Sequence, residues 1–370
     1  GIAQLRAGRR RDEAMEAMGR GAGQVLRRWH DAGDLGGVIA VGGNQGTAIA
    51  SIAMRALPIG VPKLIVSTVA SGDVRAYVAD ADIAMLFSVG DLLGGPNPVT
   101  GPILAKAAAA LAGMAQAEAE QRRSGERRLA AVAVTAFGNT HDAVEAARER
   151  LLAAGHEVVP FHASGACGSA MERLIDEGAI EAVLDLTTHE LLGERYPADI
   201  YAPVRPGRLT GAGRAGIPQV VVPGGLEYFC FGPPETIPEH LRGRPTHHHN
   251  PYNTNVRTSA EELEAVAELM ADRLNAARGP VAVVIPAQGW SQVGSPGEVL
   301  HDPVANGAFV ERLRRRLAAR VPLTELDMTI NDPRFAAIAT DLLLELLAPA
   351  GASRAVVAAG RDIPMKETQR

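Results

Sequence analysis

The sequence is poor in the features that mark secreted, membrane and nucleic-acid-binding proteins. Its 370 residues include two cysteines, Cys167 and Cys230, too few for a disulfide framework and typical of a reducing cytoplasm. It has neither the pattern of a signal peptide nor an apolar run of about 18 residues, so we expect no membrane span. The net charge is -5 and the pI about 6.1, which argues against a nucleic-acid partner.

Aromatic residues are also scarce, at 4%, whereas the chain has 40 glycines and is 46% hydrophobic. This composition suits small aliphatic side chains packed between layers that are joined by tight loops. A chain of this length is too long for one ordinary core. We therefore predict two domains, at residues 1–124 and 125–370, joined by a charged linker at residues 121–128.

Apolar runs alternate with amphipathic stretches along both halves, which predicts parallel βαβ units. The fold class that follows is α/β, with two doubly wound Rossmann-like domains and largely parallel sheets. The run at residues 37–42 shows no polar alternation, so we expect a strand buried on both faces. A Gly/Pro-rich stretch at 231–244 is predicted to be a surface excursion. The predicted strands are 37–42, 63–68, 83–87, 129–135, 157–161, 182–186, 219–222, 281–285 and 324–330, and the helices 14–32, 48–57, 104–121, 141–154, 169–177, 260–277, 303–319 and 334–347.

The sharpest motif, Val41-Gly-Gly-Asn-Gln-Gly-Thr47, lies between the first strand and its helix. Glycines let backbone N–H groups approach a ligand, and a helix N-terminus favours anions, so the loop suits a phosphate. It is neither a Walker A loop nor a GxGxxG motif, and a tight packing turn is the alternative. Thr47 is expected to cap the helix or bind a phosphate oxygen.

A hydroxyl-rich loop after the next strand should lie at the same sheet edge. Its Asp73 is a candidate Mg²⁺ ligand or a cap for the following segment. The predicted first-domain ligand residues are Gly42, Gly43, Asn44, Gly46, Thr47, Ser67, Thr68, Ser71, Gly72 and Asp73.

Three strand ends of the second half repeat this chemistry and predict a second ligand site, with ordinary turns as the alternative. One of these loops contains Cys167 between two glycines. The predicted residues are Ser164, Gly165, Gly168, Thr187, Thr188, Gly224, Gly225 and Asn250.

The run His247-His-His-Asn250 invites a zinc interpretation, but consecutive residues of an extended segment point to alternating sides. We therefore predict no metal site. Instead we expect His249 and His162 to contact an anionic substrate with Arg257 as the charged clamp, and these three are our candidate catalytic residues. A solvated loop is the alternative. The helix that follows should be capped by Ser259 or its neighbour Thr258, with Glu261 or Glu262 beyond.

In order along the chain, these motifs resemble those of the Tm-1-like family, also catalogued as the uncharacterised protein family UPF0261. The resemblance covers about residues 37 to 335 and rests on GGNQGTA at 42–48, MRALPIGVPK at 54–63, STVASGD at 67–73, FHASG at 161–165, DLTT at 185–188, GRAGIPQ at 213–219, His249-Asn250 and Arg257-Thr258. It implies two Rossmann-like domains, ATP binding by the first domain with Mg²⁺ as a companion ion, and a homodimer.

The chain departs from the family pattern at two places. Asn44-Gln45 stands where members usually have a glycine or serine. The strand and Gly-Thr-x-Asp-Thr-Lys-like loop with which members usually begin are not found. We therefore expect the first domain to lack its N-terminal strand.

The sequence leaves open whether the protein is an enzyme. The leading hypothesis is an ATP-binding, cytoplasmic protein that acts on a small carboxylate or acyl substrate at the interdomain cleft. The first alternative is a nucleotide-stabilised interaction or inhibitor module without catalysis. The second is a metal-independent hydrolase with Ser291 or Cys230 as nucleophile, the serine being paired with His249 or His301.

Overall fold

The computed structural model describes residues 10–124 and 130–348. Of the predicted linker, residues 121–123 belong to a helix, and residues 125–128 lie outside the described part. Among the described helices, none combines the length and apolar character needed to cross a bilayer. The predicted strands and helices are found near their expected positions. In chain order the elements are α1 (Arg11–Asp31), β1 (Val38–Gly42), α2 (Asn44–Met54), β2 (Lys63–Ser67), α3 (Arg75–Val78), β3 (Ala84–Phe87), α4 (Thr100–Arg123), β4 (Ala131–Ala136), α5 (His141–Ala153), β5 (Val158–His162), α6 (Ala166–Asp176), β6 (Ile180–Thr187), α7 (Glu190–Arg195), α8 (Gly211–Ala215), β7 (Gln219–Gly224), β8 (Tyr228–Phe231), β9 (Thr246–Asn250), β10 (Asn253–Arg257), α9 (Ala260–Asn275), β11 (Val281–Pro286), α10 (Pro303–Arg316), β12 (Leu323–Leu326) and α11 (Pro333–Leu347).

The first domain contains a parallel sheet of order β1-β2-β3. Met54 of α2 packs with Ile65 on one face, and Ala107 of α4 packs with Val66 on the other. The central strand β2 is buried along its whole length. The edge strand β1 is not, which corrects the prediction of a strand buried on both faces: Ile39 is 40% and Val41 48% exposed. The long helix α4 covers mainly β2, so the outer face of β1 meets solvent.

The second domain is built on a six-stranded sheet of order β12-β11-β7-β6-β4-β5, in which every pairing is parallel. Helices α5 and α11 cover one face of this sheet, and α6, α9 and α10 lie on the other. The predicted α/β class with two Rossmann-like domains is thereby confirmed. Because β5 lies on one side of β4 and β6 on the other, the winding direction changes between β4 and β6. Such a switch point opens a crevice at the carboxyl ends of the strands.

A small antiparallel sheet of order β8-β10-β9 lies outside the prediction. It incorporates the histidine run, which we expected to be a loop, as strand β9. The segment between β8 and β9 contains two short 3₁₀ turns, Pro234–Thr236 and Glu239–Leu241. Strand β10 leads directly into α9, whose N-cap is Ser259 in a capping box with Glu262, as one of the predicted pairings has it.

Candidate functional site

The first-domain glycine loop joins β1 to α2 at the carboxyl edge of the sheet. Gly43 is the N-cap of α2 in an extended conformation, and the exposed residues Asn44, Gln45 and Gly46 form its first turn. Amides of a first turn have no acceptor within their own helix. The nearest heavy atom to a Cβ built on Gly46 is the Val41 carbonyl oxygen, at 3.8 Å. The residues of this first turn are therefore exposed, and the space beside Gly46 is open.

Two of the hydroxyl groups predicted to contact a ligand here turn inward. Thr47 lies inside α2, where its Oγ1 donates to Gly43 O at 2.8 Å and lies 2.6 Å from Ser67 Oγ. Ser67 Oγ in turn accepts from the Val69 amide at 3.1 Å. Both side chains are buried, so they tie the two loops together, and Thr47 is not the helix cap that we expected. Thr68 is half-buried beside them.

The end of the hydroxyl-rich loop is exposed, at Ser71, Gly72 and Asp73. Asp73 accepts from the Arg75 amide at 3.0 Å and pairs with its guanidinium at 2.7 Å. The hydrogen bond from the Arg75 side chain lowers the pKa of Asp73 to about 2. Asp73 therefore already contacts the start of the following segment, and a metal ion would have to displace the Arg75 side chain from it.

In the second-domain glycine loop, the backbone amides already have a hydrogen-bond acceptor. The amides of Gly165 and Gly168 donate to Glu190 Oε1 at 2.7 and 3.1 Å. A Cβ on Gly168 would lie 2.0 Å from Glu190 Oε2. The anion at this loop is thus a carboxylate of the chain itself, which favours a structural role for both glycines. Ser164 beside them is half-buried.

The Glu190 carboxylate belongs to a buried charge cluster around Arg208. Arg208 donates to Glu190 at 2.5 Å, to Glu172 at 2.8 Å and to Asp185 at 2.9 Å. Burial raises the pKa of both Glu172 and Glu190 above the usual value, against the pull of the guanidinium. One cation faces three carboxyl groups in a dry interior, so burial opposes the ionisation of Glu172 and Glu190 while the charge of Arg208 favours it.

The remaining predicted loop residues of the second domain also bond inward. Thr187 Oγ1 lies 2.9 Å from Thr140 Oγ1, and Thr188 Oγ1 donates to Val222 O at 3.1 Å. A Cβ on Gly224 would lie 2.1 Å from Leu186 O, so close strand packing requires this glycine.

A polar pocket lies at the switch point of the second-domain sheet. It is small, with a volume of about 60 Å³, which is too small for a nucleotide. All of its lining comes from the second domain, so it is separate from the interdomain cleft at which we expected a site. The lining residues are Phe137, Gly138, Asn139, His162, Tyr201, Tyr228, Cys230, His249, Asn253 and Asn255.

Two tyrosine hydroxyls of this pocket accept hydrogen bonds from asparagines. Asn253 Nδ2 donates to Tyr201 OH at 3.0 Å, and Asn139 Nδ2 donates to Tyr228 OH at 3.2 Å. Burial raises the pKa of both phenols, so they keep their protons. Each hydroxyl can therefore donate its own proton to a ligand oxygen.

Asn255 is a buried acceptor without a partner. Its Nδ2 donates to Cys230 Sγ and to Asn253 Oδ1, both at 3.2 Å. Its Oδ1 has no hydrogen-bond partner among the described residues, although Asn255 is only 3% exposed. Leaving a buried acceptor unpaired costs about 1–3 kcal/mol, so this atom favours a ligand that donates to it.

Two of the three predicted catalytic residues meet in the pocket. His162 is the last residue of β5, and His249 lies on β9. Partial burial and the positive charge of nearby His189 lower the pKa of His162, so its ring is neutral and able to accept a proton at pH 7.

His189, which the sequence analysis did not select, lies fully buried behind the pocket. Its Nδ1 bonds to Gly225 O at 2.7 Å and its Nε2 to Asp199 at 3.0 Å. Burial alone would lower the pKa of His189, but the charge of Asp199 outweighs it and raises that pKa well above 6.5. The ligand atoms of His189, Asp199 and Cys230 lie within 4.8 Å of one another, and this N/O/S set is able to hold a metal ion.

Arg257 is not the predicted clamp. It is 3% exposed and donates to Glu227 O at 2.9 Å and to Asn306 Oδ1 at 2.6 Å. Its charge faces the buried Glu227 carboxylate at 3.9 Å, which holds it in the interior away from the pocket. Asn250 is exposed and accepts from the Tyr252 amide at 2.8 Å, so it does not line the pocket either.

Ser291, the serine of the hydrolase hypothesis, also forms its hydrogen bonds outside the pocket. Ser291 is buried, donates to Glu227 Oε1 and accepts from the Gly294 amide. His301 Nδ1 lies 2.9 Å from Gly294 O. The expected pairing of Ser291 with His249 or His301 is not formed in the described part of the chain. Cys230 does reach the pocket, but burial raises the pKa of its thiol, which disfavours the nucleophilic thiolate.

The cleft between the domains is larger, about 720 Å³, and is lined by charged residues. Its arginines have partners: Arg205 pairs with Asp80 at 3.1 Å and Arg173 with Glu177 at 2.8 Å. Arg55 Nη1 donates to a backbone carbonyl at 3.0 Å. None of the predicted site residues lines this cleft, and the cleft and the pocket have no lining residue in common.

Sequence reasoning missed Tyr201, Tyr228 and Asp199. The first and last lie between α7 and α8, outside any glycine motif, and Tyr228 belongs to the unpredicted strand β8. The sequence did contain one signal for this pocket. Asn253 and Asn255 are two residues apart, and a strand places such residues on one face.

Comparison with known proteins places both halves of the chain in one family. Residues 2–120 match the model of the N-terminal domain of the uncharacterised protein family UPF0261, and residues 129–347 match its C-terminal domain. A UPF0261 protein of Clostridium tetani is 40% identical over 338 residues, 91% of this chain and 82% of that protein. A UPF0261 protein of Rhizobium meliloti is 37% identical over 351 residues, 94% and 85% of the two chains. The ToMV resistance protein Tm-1(GCR237) of Solanum lycopersicum is 37% identical over 321 residues, 86% of this chain but 42% of the tomato protein.

Proposed function

The chain belongs to the uncharacterised protein family UPF0261, and we propose that its second-domain pocket binds a small carboxylate or acyl metabolite and catalyses proton transfer to or from that metabolite. The observation that carries this proposal is the convergence of a neutral His162 and two tyrosine hydroxyls on one small crevice. The crevice lies at the carboxyl ends of the strands, where open α/β sheets bind ligands. The nucleotide and the substrate are then assigned to different domains.

The roles follow from the hydrogen bonds of each group. Tyr201 and Tyr228 accept from asparagines, so their O–H groups are free to donate to a carbonyl or carboxylate oxygen. Two such donors stabilise negative charge that develops on that oxygen. His162 is the general base, and the exposed ring of His249 closes the outer side of the pocket. Asn255 Oδ1 accepts a hydrogen bond from a hydroxyl group of the ligand.

The test is a panel of short-chain hydroxy acids, keto acids and acyl esters, with binding followed by protein NMR shifts and proton exchange into the ligand by deuterium incorporation. We expect at least one compound to bind and to exchange a proton. His162→Gln should slow exchange by about 10²-fold or more while binding persists, because a general base typically contributes 10²–10⁴-fold. Tyr201→Phe should weaken both binding and exchange.

A matched control is His248→Ala, since His248 is exposed, adjoins His249 on β9 and does not line the pocket. This variant should bind and exchange as the native chain does. Binding that is equally strong in Tyr201→Phe and in the native chain would place the ligand elsewhere. Exchange that is unchanged in His162→Gln would remove the base from this proposal.

We further propose that the first-domain loop binds ATP, with Mg²⁺ as a companion ion. The supporting observation is the exposed first turn of α2, in which the amides of Asn44, Gln45 and Gly46 have no acceptor within the helix. Calorimetry should show ATP binding to the native chain and much weaker binding to Gly46→Val. The new side chain meets little of the protein, because the nearest heavy atom to its Cβ is 3.8 Å away. Equal affinity in a folded variant would sink this assignment.

A non-catalytic interaction module is the competing proposal, since one relative is named a ToMV resistance protein. The same deuterium assay separates the two. Proton exchange that depends on His162 supports an enzyme, whereas nucleotide binding without any exchange supports a module.

A further inference from the structure

Behind the pocket, three buried side chains from three segments bring together a nitrogen, an oxygen and a sulfur ligand atom. They are His189 just before α7, Asp199 in the segment after it, and Cys230 on β8. The three ligand atoms lie within 4.8 Å of one another, and all three residues are buried. Cys230 also lines the pocket, so the cluster adjoins ligand space on one side.

Each of these side chains is oriented by a further hydrogen bond. His189 Nδ1 donates to Gly225 O at 2.7 Å, which directs Nε2 toward Asp199 and Cys230. The amides of Cys230 and Tyr201 donate to the Asp199 carboxylate at 2.7 and 2.8 Å. Metal-binding histidines commonly hold their second ring N–H in this way, against a carbonyl or carboxylate.

An imidazolium–carboxylate pair accounts for His189 and Asp199 but not for what surrounds them. It gives no reason for Cys230 Sγ to face the pair while accepting from Asn255 Nδ2 at 3.2 Å. Nor does it supply a partner for the buried Asn255 Oδ1, which has none among the described residues. A water molecule bound to a metal ion would donate to that oxygen.

We propose that His189 Nε2, the Asp199 carboxylate and Cys230 Sγ bind one divalent zinc-class cation whose fourth position opens to the pocket. A mixed N/O/S donor set suits zinc better than the oxygen-preferring Mg²⁺ or Ca²⁺. Three protein ligands with an open position is the arrangement of catalytic rather than structural zinc sites. This inference adds to the metabolite proposal, because the open position adjoins the same pocket and the same Asn255 Oδ1, but its test needs no metabolite.

Charge and protons balance in this step. The cation replaces the Nε2 proton of His189 and the Sγ proton of Cys230, and both protons leave to solvent. The two positive charges are then matched by one carboxylate and one thiolate, so the buried cluster remains neutral. The fourth ligand is water or an oxygen of a bound metabolite, which the ion polarises as a Lewis acid.

The test uses cobalt(II) as a spectroscopic probe of the intact chain, followed by zinc competition. The native protein should bind one cobalt ion per chain with a thiolate-to-cobalt charge-transfer band, and zinc should remove that band. Cys230→Ser should lose the band and weaken binding by more than about tenfold, because even the loss of an outer hydrogen-bond partner costs 10–100-fold. Asp199→Asn should weaken binding without abolishing the band.

The chain offers two matched controls. Cys167→Ser removes the other cysteine, which is exposed, and must leave the band unchanged. The double variant His247→Ala/His248→Ala removes rings of β9 that could bind cobalt at the surface, and it must keep one ion per chain. A native protein that shows no thiolate band would overturn the proposal, as would a band that survives in Cys230→Ser. Should Cys230→Ser fail to fold, zinc must still raise the melting temperature of the native chain and a chelator must reverse that rise; no shift would overturn it equally.

Discussion

The glycine-rich loops of the two domains have the same position before a helix but differ in what lies beside their backbone. Gly46 and Gly168 are each the third residue of an 11-residue helix that follows a parallel strand. At Gly168 the space beside the backbone is filled by Glu190, whereas at Gly46 that space is open. The amides of the second-domain loop already hold an anion, and those of the first-domain loop do not. An anion-binding loop can therefore be part of the core of one domain and a candidate ligand site in the other.

The difference depends on where the compensating charge comes from. In the second domain, Glu190 is itself held by Arg208, which also contacts Glu172 and Asp185, so loop, helix and strand share one buried cluster. In the first domain the neighbouring loop carries the carboxylate of Asp73, which pairs with Arg75 at the surface. Only the second-domain arrangement makes its glycine loop part of the interactions that stabilise the fold.

The largest effect should come from Arg208→Met, which keeps much of the side-chain volume but removes the charge. It leaves three carboxyl groups buried without their cation, and breaking a buried ion pair costs about 3–5 kcal/mol. Urea unfolding followed by circular dichroism measures the loss.

Arg214→Met is the control for this experiment, because Arg214 forms an exposed pair with Asp176 at 2.9 Å. Exposed pairs contribute about 0–1 kcal/mol. Equal losses in the two variants would show that burial of the Arg208 cluster does not matter for stability.

Periodicity and composition predicted the regular elements, because burial between layers leaves apolar runs that can be read directly. They failed where a charged side chain folds inward over a long sequence separation. Arg257 looked like a surface clamp until Glu227 and Asn306 were seen to surround it. In the same way Glu190 lies 22 residues from the Gly168 amide that it accepts from, and no local pattern records that contact.

The pocket was predicted in part for the same reason. His162 and His249 stand beside recognisable strand ends, so their chemistry was visible in the sequence. Tyr201 and Asp199 lie in an irregular segment. Tyr228 lies on a strand of the antiparallel sheet, which was not predicted because the polar histidine run within it lacks the pattern of a strand. Those residues acquire meaning only from the hydrogen bonds that the fold gives them.

A smaller effect with opposite signs is expected from two matched glycine substitutions. Gly168→Ala would place a Cβ 2.0 Å from Glu190 Oε2, so it should destabilise the protein by about 1–3 kcal/mol, as overpacking does. Gly46→Ala meets nothing closer than 3.8 Å and should stabilise it by about 0.4–1 kcal/mol through the unfolded state.

Thermal unfolding of the two variants side by side measures this difference. Loss of stability in Gly46→Ala would mean that the first-domain loop is packed after all. Neutrality in Gly168→Ala would mean that Glu190 leaves its position at little cost.

The smallest effect concerns the exposed carboxylate of the first-domain loop. The hydrogen bond from the Arg75 side chain holds the pKa of Asp73 at about 2, below its ordinary value of 3.8. A lowered pKa means that the interaction is fully present above pH 3.8 and is lost as the pH falls through 2. In Arg75→Gln the pKa of Asp73 should rise toward 3.8 but stay below it, because the backbone amide at position 75 still donates.

A carboxyl ¹³C NMR titration follows this change directly. The pair is exposed, so we expect the pKa to move while the unfolding free energy at pH 7 stays the same. Glu190 shows the opposite behaviour, since burial raises its pKa, and its ionisation therefore works against folding as the pH rises. If Asp73 kept its pKa of about 2 in Arg75→Gln, the loop backbone would be holding that anion, and the two glycine loops would be more alike than their contacts suggest.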